Sequence, residues 1–257
     1  MIIPLPSIDF EPDVVWRFLF NPLILEGART TLIVAVLAQI FGVALGVISA
    51  LMRMSKNPLI SGPANFYVWF FRGTPLLLQL LFWFNGIPQL LGSNPDVAHF
   101  LSPFRVAVFG LAVNEGAYMT EIVRAGIESV ERGQMDAAKS LGMTSGMAMR
   151  RIVLPQALRV IIPPTGNEFI AMLKNSSLAL VIGLVELLNA ARFTYSYNYK
   201  MMELLVVASI WYLTMTTAFS LIQAEIESRL AVGVRERPPT LFGRMTEAFG
   251  VARTRLH

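Results

Sequence analysis

The chain alternates long apolar runs with short polar breaks. Three stretches, Thr30–Met52, Gly73–Pro95 and Leu204–Ala224, contain no charged residue. Each supplies the ~20 mainly apolar residues a helix needs to cross a bilayer. Two further runs are apolar but interrupted. Arg105–Arg124 carries Asn114, Glu115 and Glu121, and Val160–Ala191 carries Glu168, Lys174 and Glu186. Counting both predicts about five transmembrane helices in an all-α integral membrane protein. The apolar run Pro58–Leu91 is long for one helix. Arg72-Gly73-Thr74-Pro75 is expected to kink it, because proline removes a donor and disfavours helix in the residue before it.

The basic residues predict an orientation. Fourteen Lys and Arg fall on one side of the proposed spans and five on the other, with Arg72 and Lys174 at membrane depth. Positive charge gathers in cytoplasmic loops, so the N-terminus is expected outside and the C-terminus in the cytoplasm. Five spans require opposite ends, which agrees. The organisation expected is an extracytoplasmic, interfacial segment over 1–25, a transmembrane domain over 26–230 and a cytoplasmic tail over 231–257. Asp9, Glu11 and Asp13 break any signal-peptide core in the first segment, where Trp16 and Phe18 are placed near the headgroups. The tail is a bland extension or touches anionic lipid through its basic residues.

Composition supports this picture. Of 257 residues, 54% are hydrophobic and 15% charged, against about a quarter charged in a soluble domain. The net charge of +4 is accounted for by the cytoplasmic loops, so no nucleic-acid partner is expected. Cysteine is absent, and His99 and His257 have no metal-ligand spacing, so no metal site is expected.

The polar stretch between spans three and four, about 128–155, is too polar to span and too short to be a domain. It reads as two short helices joined by a bend. Gln134 to Leu141 is rich in helix formers, and Lys139 suits the last turn. Gly142 suits the left-handed position that ends a helix, and Thr144 or Ser145 can cap the next. Pro155 stops that helix or marks the entry to span four. The set expected on the surface is small and soft: Ala137, Ala138, Gly142, Met143, Met147 and Met149. Two readings fit: a knob entering a groove on another protein, or an amphipathic loop lying on the membrane.

Charges at membrane depth usually face a bundle interior or a solute path. On a single helix over span four, Asn167, Glu168, Lys174, Asn175, Glu186 and Asn189 would share a sector of roughly 120°. In span three, Asn114, Tyr118, Glu121 and Ala125 form a second stripe. Two such faces would make a small wet pocket. Glu168 there suits an ammonium, and Lys174 or Asn175 a carboxylate. The competing reading makes these groups interhelical struts or part of a dimer interface. Glu186 reads as structural, Arg72 as a functional gate residue or a snorkelling residue paired with a loop acid, and Glu121, Arg124 and Glu128 as joining span three to the polar loop.

Asp136-Ala137-Ala138, then Gly142, then Ile152-Val153-Leu154-Pro155 resembles the "EAA" signature of ABC importer permeases, with Asp in place of the usual Glu. Three further runs resemble the polar amino acid branch of that family: Phe71-Arg72-Gly73-Thr74-Pro75-Leu76, residues 117–127, and Lys174-Asn175-Ser176-Ser177-Leu178. The match covers roughly residues 25–230. The resemblance implies a type I importer fold in a bacterial inner membrane. Its polar loop, through Asp136, Ala137, Ala138, Gly142, Met143, Met147, Ile152 and Pro155, forms coupling helices docked on a cytosolic ATPase subunit. The implied partners are the ABC ATPase subunits that use ATP and Mg, an extracytoplasmic amino-acid-binding protein, and a second permease copy or a homologous permease. The implied solute is a polar amino acid moved by alternating access, with contacts in the transmembrane helices. Asn175 stands where many relatives have Asp, which tilts away from cationic solutes.

No Gly-Lys dipeptide occurs, so the chain has no phosphate-binding GxxxxGK[ST] loop and binds no cofactor of its own in that way. If transport is ATP-driven, the motor is another polypeptide. The alternative is a self-sufficient ion-coupled secondary amino acid transporter, although such carriers usually show internal repeats and more spans. A membrane enzyme would need a nucleophile–base or metal constellation, and none is legible.

Overall fold

The computed structural model describes residues 10–91 and 101–230, and every element within them is helical. The outer end of the second expected span, His99 and the tail from residue 231 lie outside the described residues. The chain divides into two compact units, one drawn from Met1–Glu121 and Ala171–Met215, the other from Ile122–Ile170 and Thr216–His257.

In the first unit, helix α1 (Pro12–Leu19) is followed by α2 (Pro22–Arg53) and α3 (Pro58–Gly73). The last two start alike. Asn21 and Asn57 accept the N–H of Leu23 at 2.9 Å and of Leu59 at 3.0 Å, and a proline takes the first helical position. α2 begins at Pro22, ahead of the expected Thr30 and inside the segment expected to end at residue 25. α1 is tied to the start of the last helix: Trp211 Nε1 donates to Leu19 O at 2.8 Å, and Glu11 N to Glu203 Oε1 at 3.0 Å.

Small residues let α2 approach its neighbours. A Cβ at Gly42 would lie 2.6 Å from Glu115 Cγ, and one at Gly46 would collide with Met119, both on α6 (Pro103–Glu128). A Cβ at Gly27 would lie 2.8 Å from Ala190 Cβ on α10 (Leu187–Asn198). Gly42 and Gly46 have the Gly-x-x-x-Gly spacing that suits close helix packing in lipid, where apolar area alone gives no preference for protein over lipid.

The expected kink is a full break. α3 ends at Gly73, Thr74 and Pro75 are extended, and α4 (Leu76–Leu81) restarts the helix. A π-helical turn, Phe82–Gly86, then leads into α5 (Ile87–Leu91). This wider turn comes just before Pro88, whose ring would otherwise crowd the carbonyl four residues back.

The fourth expected span is not one helix. α9 (Leu154–Asn175) passes into a 3-10 segment, Ser176–Ile182, which Gly183 ends at φ +82°. α10 then leaves at a bend of 50°. Glu186 and Asn189 therefore do not continue the polar face of α9, and the shared sector expected across span four ends at Asn175. The final helix, α11 (Met201–Leu230), is continuous. Among the described residues, α2, α6 and α11 are long and apolar enough to cross a membrane, the bent pair makes a fourth, and Leu76–Leu90 is a shorter apolar run in the place of the fifth.

The second unit holds the loop helices α7 (Arg132–Ser140) and α8 (Ser145–Ala148) with the adjoining ends of α6, α9 and α11. A Cβ at Gly126 would collide with Ile161, and one at Gly166 would lie 2.7 Å from Gln223 Cδ. Phe169 and Phe219 meet edge to face at 4.7 Å.

Candidate functional site

The polar loop folds as an elbow built by its own residues. α7 ends in paired reverse bonds, Gly142 N–H to Lys139 O at 2.9 Å and Met143 N–H to Ala138 O at 3.1 Å, with Gly142 at φ +82°. This is the termination expected there, and it needs a residue without a Cβ penalty in the left-handed region. Thr144 Oγ1 then accepts the Met147 N–H at 3.3 Å and starts α8. Pro155 does not stop the helix but lies at the entry to α9, the second of the two readings. A second π-helical turn, Met149–Val153, precedes it, and the helix runs on into α9.

The exposed surface of the elbow differs from the expected set. Ala138 is buried, Met143 and Met149 are half-buried, and Leu141 is the most open apolar residue at 84% exposure. Ala137, Gly142 and Met147 are exposed as expected, as is Asp136, while Ile152 is half-buried. Ala138 gives its carbonyl to the Schellman turn and faces the core because it lies one residue round the helix from Ala137.

In the first unit, polar side chains gather at the α3–α4 break. Gln79, buried in an otherwise apolar α4, donates through Nε2 to Phe71 O at 3.0 Å, Thr74 O at 3.1 Å and Thr74 Oγ1 at 2.8 Å. Asn114 Nδ2 on α6 donates to Phe71 O and to Gln79 Oε1, both at 3.1 Å. Carbonyls freed by the break are thus satisfied inside the protein, as a low-dielectric setting requires. Tyr67 OH donates to Val113 O at 2.6 Å and braces the same corner.

Beside this break, Glu121 Oε1 receives Arg53 Nη1 at 2.6 Å and Arg72 Nη1 at 3.2 Å. Arg53 Nε also donates to Asn65 Oδ1 at 2.7 Å. The Arg72 guanidinium lies 5.3 Å from the centroid of the half-exposed Tyr118 ring. Arg72 therefore pairs with an acid of span three, not with a loop acid as expected. Glu121 ties α2, α3 and α6 together, and Arg124 pairs with Glu128 one turn on, at 2.6 Å.

Of the expected residues of span four, Asn167, Glu168, Lys174 and Asn175 lie on α9, and Glu186 and Asn189 do not. In the second unit, Gln223 Nε2 on α11 donates to Asn167 Oδ1 and Pro163 O, both at 3.0 Å, and to Glu227 Oε1 at 2.8 Å. Asn167 thus acts partly as a strut at the Pro163-Pro164 irregularity, and Glu168 beside it is half-buried. Lys174 and Asn175 are exposed at the end of α9, in the first unit. Glu186 is fully buried and structural as expected. It caps α10, accepting from Leu188 N at 2.9 Å, Asn189 N at 2.7 Å and Tyr212 OH at 2.9 Å. Gln79, Gln223, Tyr67 and the Gly42/Gly46 pair were not anticipated. A lone glutamine inside Leu-Leu-Leu-Gln-Leu-Leu, one turn past a proline break, was the readable signal for the first.

Residues 42–232 match the family described as "Binding-protein-dependent transport system inner membrane component". The protein named "Arginine transport system permease protein ArgU" of Corynebacterium glutamicum is 43% identical over 86% of this chain and 72% of its own length. "Probable amino-acid permease protein YxeN" of Bacillus subtilis is 37% identical over 84% of this chain and 96% of its own. A solved structure titled "Crystal structure of an amino acid ABC transporter with histidines" superposes with TM-score 0.76 at 40% identity, covering 84% of this chain and 98% of that one. An inward-facing methionine ABC transporter, MetNI, shares the fold at 18% identity, with TM-score 0.63 over 81% of this chain and 96% of that one. A glycine-ended elbow between apolar helices, in a chain matched over most of its length, leads to one conclusion: it belongs to the inner membrane components of binding-protein-dependent transport systems.

Proposed function

We propose that this chain is the permease of an ATP-driven importer for polar L-amino acids, paired with a second copy of itself or with a sister permease. As an inner membrane component of such a system it is the non-catalytic translocation subunit, and a separate subunit hydrolyses ATP. The observation that carries the reading is the elbow at 132–148. Its two helices are locked by Gly142 and Thr144 and present Leu141, Ala137 and Met147 to a partner. An elbow rigid enough to transmit force suits a motor that grips it from the cytoplasm. That placement puts the N-terminus outside, in line with the bias of Lys and Arg. ATP binding shifts the transporter between its two faces only insofar as the motor fits one state better than the other.

Relatives named for arginine, glutamine and L-cystine transport support an amino acid as the solute. Asn114, Tyr118, Asn167, Glu168, Lys174 and Asn175 are proposed to line its path. The test is uptake by proteoliposomes holding the permease, its ATPase and its binding protein, offered a panel of radiolabelled amino acids. At least one polar amino acid should accumulate on addition of ATP. Uptake of sugars or peptides with no amino acid uptake would refute the solute class.

A further inference from the structure

Resting on that reading of the chain as an amino acid importer, we infer that Arg72 receives the α-carboxylate of the transported amino acid at the α3–α4 break. The inference starts from an imbalance. Two guanidinium groups share one oxygen of Glu121, but unequally. Arg53 lies closer, at 2.6 Å, makes a second bond to Asn65 and has a side chain only 20% exposed. Arg72 stands at 3.2 Å with 43% exposure, and among the described residues it makes no other hydrogen bond. A guanidinium carries five donors in a rigid fork, so most of the Arg72 fork is unspent. Glu121 and Arg53 offset one another, which leaves Arg72 as surplus positive charge.

A cation at membrane depth is costly and persists where a solute path or a partner meets it. Arg72 is held ready to be met. Its Cζ lies 5.3 Å from the centroid of the Tyr118 ring, a cation–π contact that uses none of its N–H donors. The backbone behind it is fixed, because Gln79 and Asn114 hold the carbonyls of Phe71 and Thr74. The ligand that matches a planar fork with open edge donors is a carboxylate, bound through two parallel hydrogen bonds. Every α-amino acid carries that group, so Arg72 serves a common feature of the solutes while other residues read the side chain. Lys174, the cation favoured for this role by sequence, is exposed at the end of α9 and makes no ring contact or ion pair among the described residues. A lipid phosphate shares the oxyanion chemistry and is separated by the test.

The permease–ATPase complex is placed in nanodiscs of neutral lipid, and equilibrium binding of radiolabelled L-arginine, L-glutamine and L-glutamate is measured beside their α-amides. The wild-type complex should bind at least one acid more tightly than its α-amide. Arg72→Gln should weaken the acid by roughly tenfold or more, the scale of a lost charge-assisted pair, and leave the amide unchanged. Arg72→Lys, with a point charge for the fork, should weaken the acid about threefold and again spare the amide. If Arg72→Gln fails to assemble, the Arg72→Lys comparison decides. Equal losses for acid and amide would mark a structural strut and overturn the inference. So would unchanged binding in either variant, absence of saturable binding by the wild type, or an Arg72 effect that appears only when anionic lipid is added. The uptake panel keeps the two claims apart: loss of this inference leaves wild-type amino acid uptake intact, whereas failure of the importer reading removes it.

Discussion

Gly142 offers a graded test of the elbow. It sits at φ +82°, and a Cβ added there would meet nothing within 4 Å. A substitution therefore meets no clash and adds only backbone strain. For an ordinary L-residue the left-handed conformation costs about 1–2 kcal/mol, whereas Asn adopts it more readily. That strain lowers the population of the docked elbow by a factor of roughly 5–30. Gly142→Ala should thus raise the concentration of ATPase subunit needed for half-maximal complex formation by about tenfold, and Gly142→Val by more. Gly142→Asn should stay within about threefold of wild type. Gly146, four residues on, is equally open but lies in ordinary helix, so Gly146→Ala controls for added surface without strain. The assay titrates the ATPase subunit against permease in nanodiscs, with amino acids moved per ATP hydrolysed as a second readout. Equal behaviour of Ala, Asn and Val at position 142 would refute the strain argument. Wild-type coupling in all three would remove the elbow from the mechanism.

Two further outcomes follow from packing. Gly42→Ala places a methyl 2.6 Å from Glu115 Cγ and should lower stability by about 1–3 kcal/mol, read as a lower melting temperature in detergent, while Gly62→Ala, which meets nothing within 4 Å, should not. Gln223→Ala withdraws the donor shared by Pro163 O, Asn167 and Glu227, and should cost about 1–3 kcal/mol by the same measurement.

Features carried by local chemistry were legible in the sequence. The Gly142 terminator, the Thr144 cap and the break at Gly73-Thr74-Pro75 each depend on residues adjacent in the chain. Features that depend on distant residues were not. The sequence neighbours of Glu121, Arg124 and Glu128, point to the loop, and nothing local announces Arg53 and Arg72, which reach it from other helices. Span four reads as one helix because Val160–Ala191 is mainly apolar and its polar residues fall in one sector when a single helix is assumed. Only Gly183 marked the turn, and a lone glycine inside an apolar run does not separate a helix end from a packing contact. The exposed set on the elbow shifted for a similar reason. Ala137 and Ala138 are identical in chemistry, and only the fold decides which of them faces out.

The central claim is a division of labour between this chain and a separate motor. ATP-driven uptake into proteoliposomes tests it most directly, with the ATPase subunit, the binding protein and ATP omitted in turn. Accumulation of a polar amino acid should require all three, and an imposed proton or sodium gradient should not replace ATP. Gradient-driven uptake by this chain alone would contradict the account.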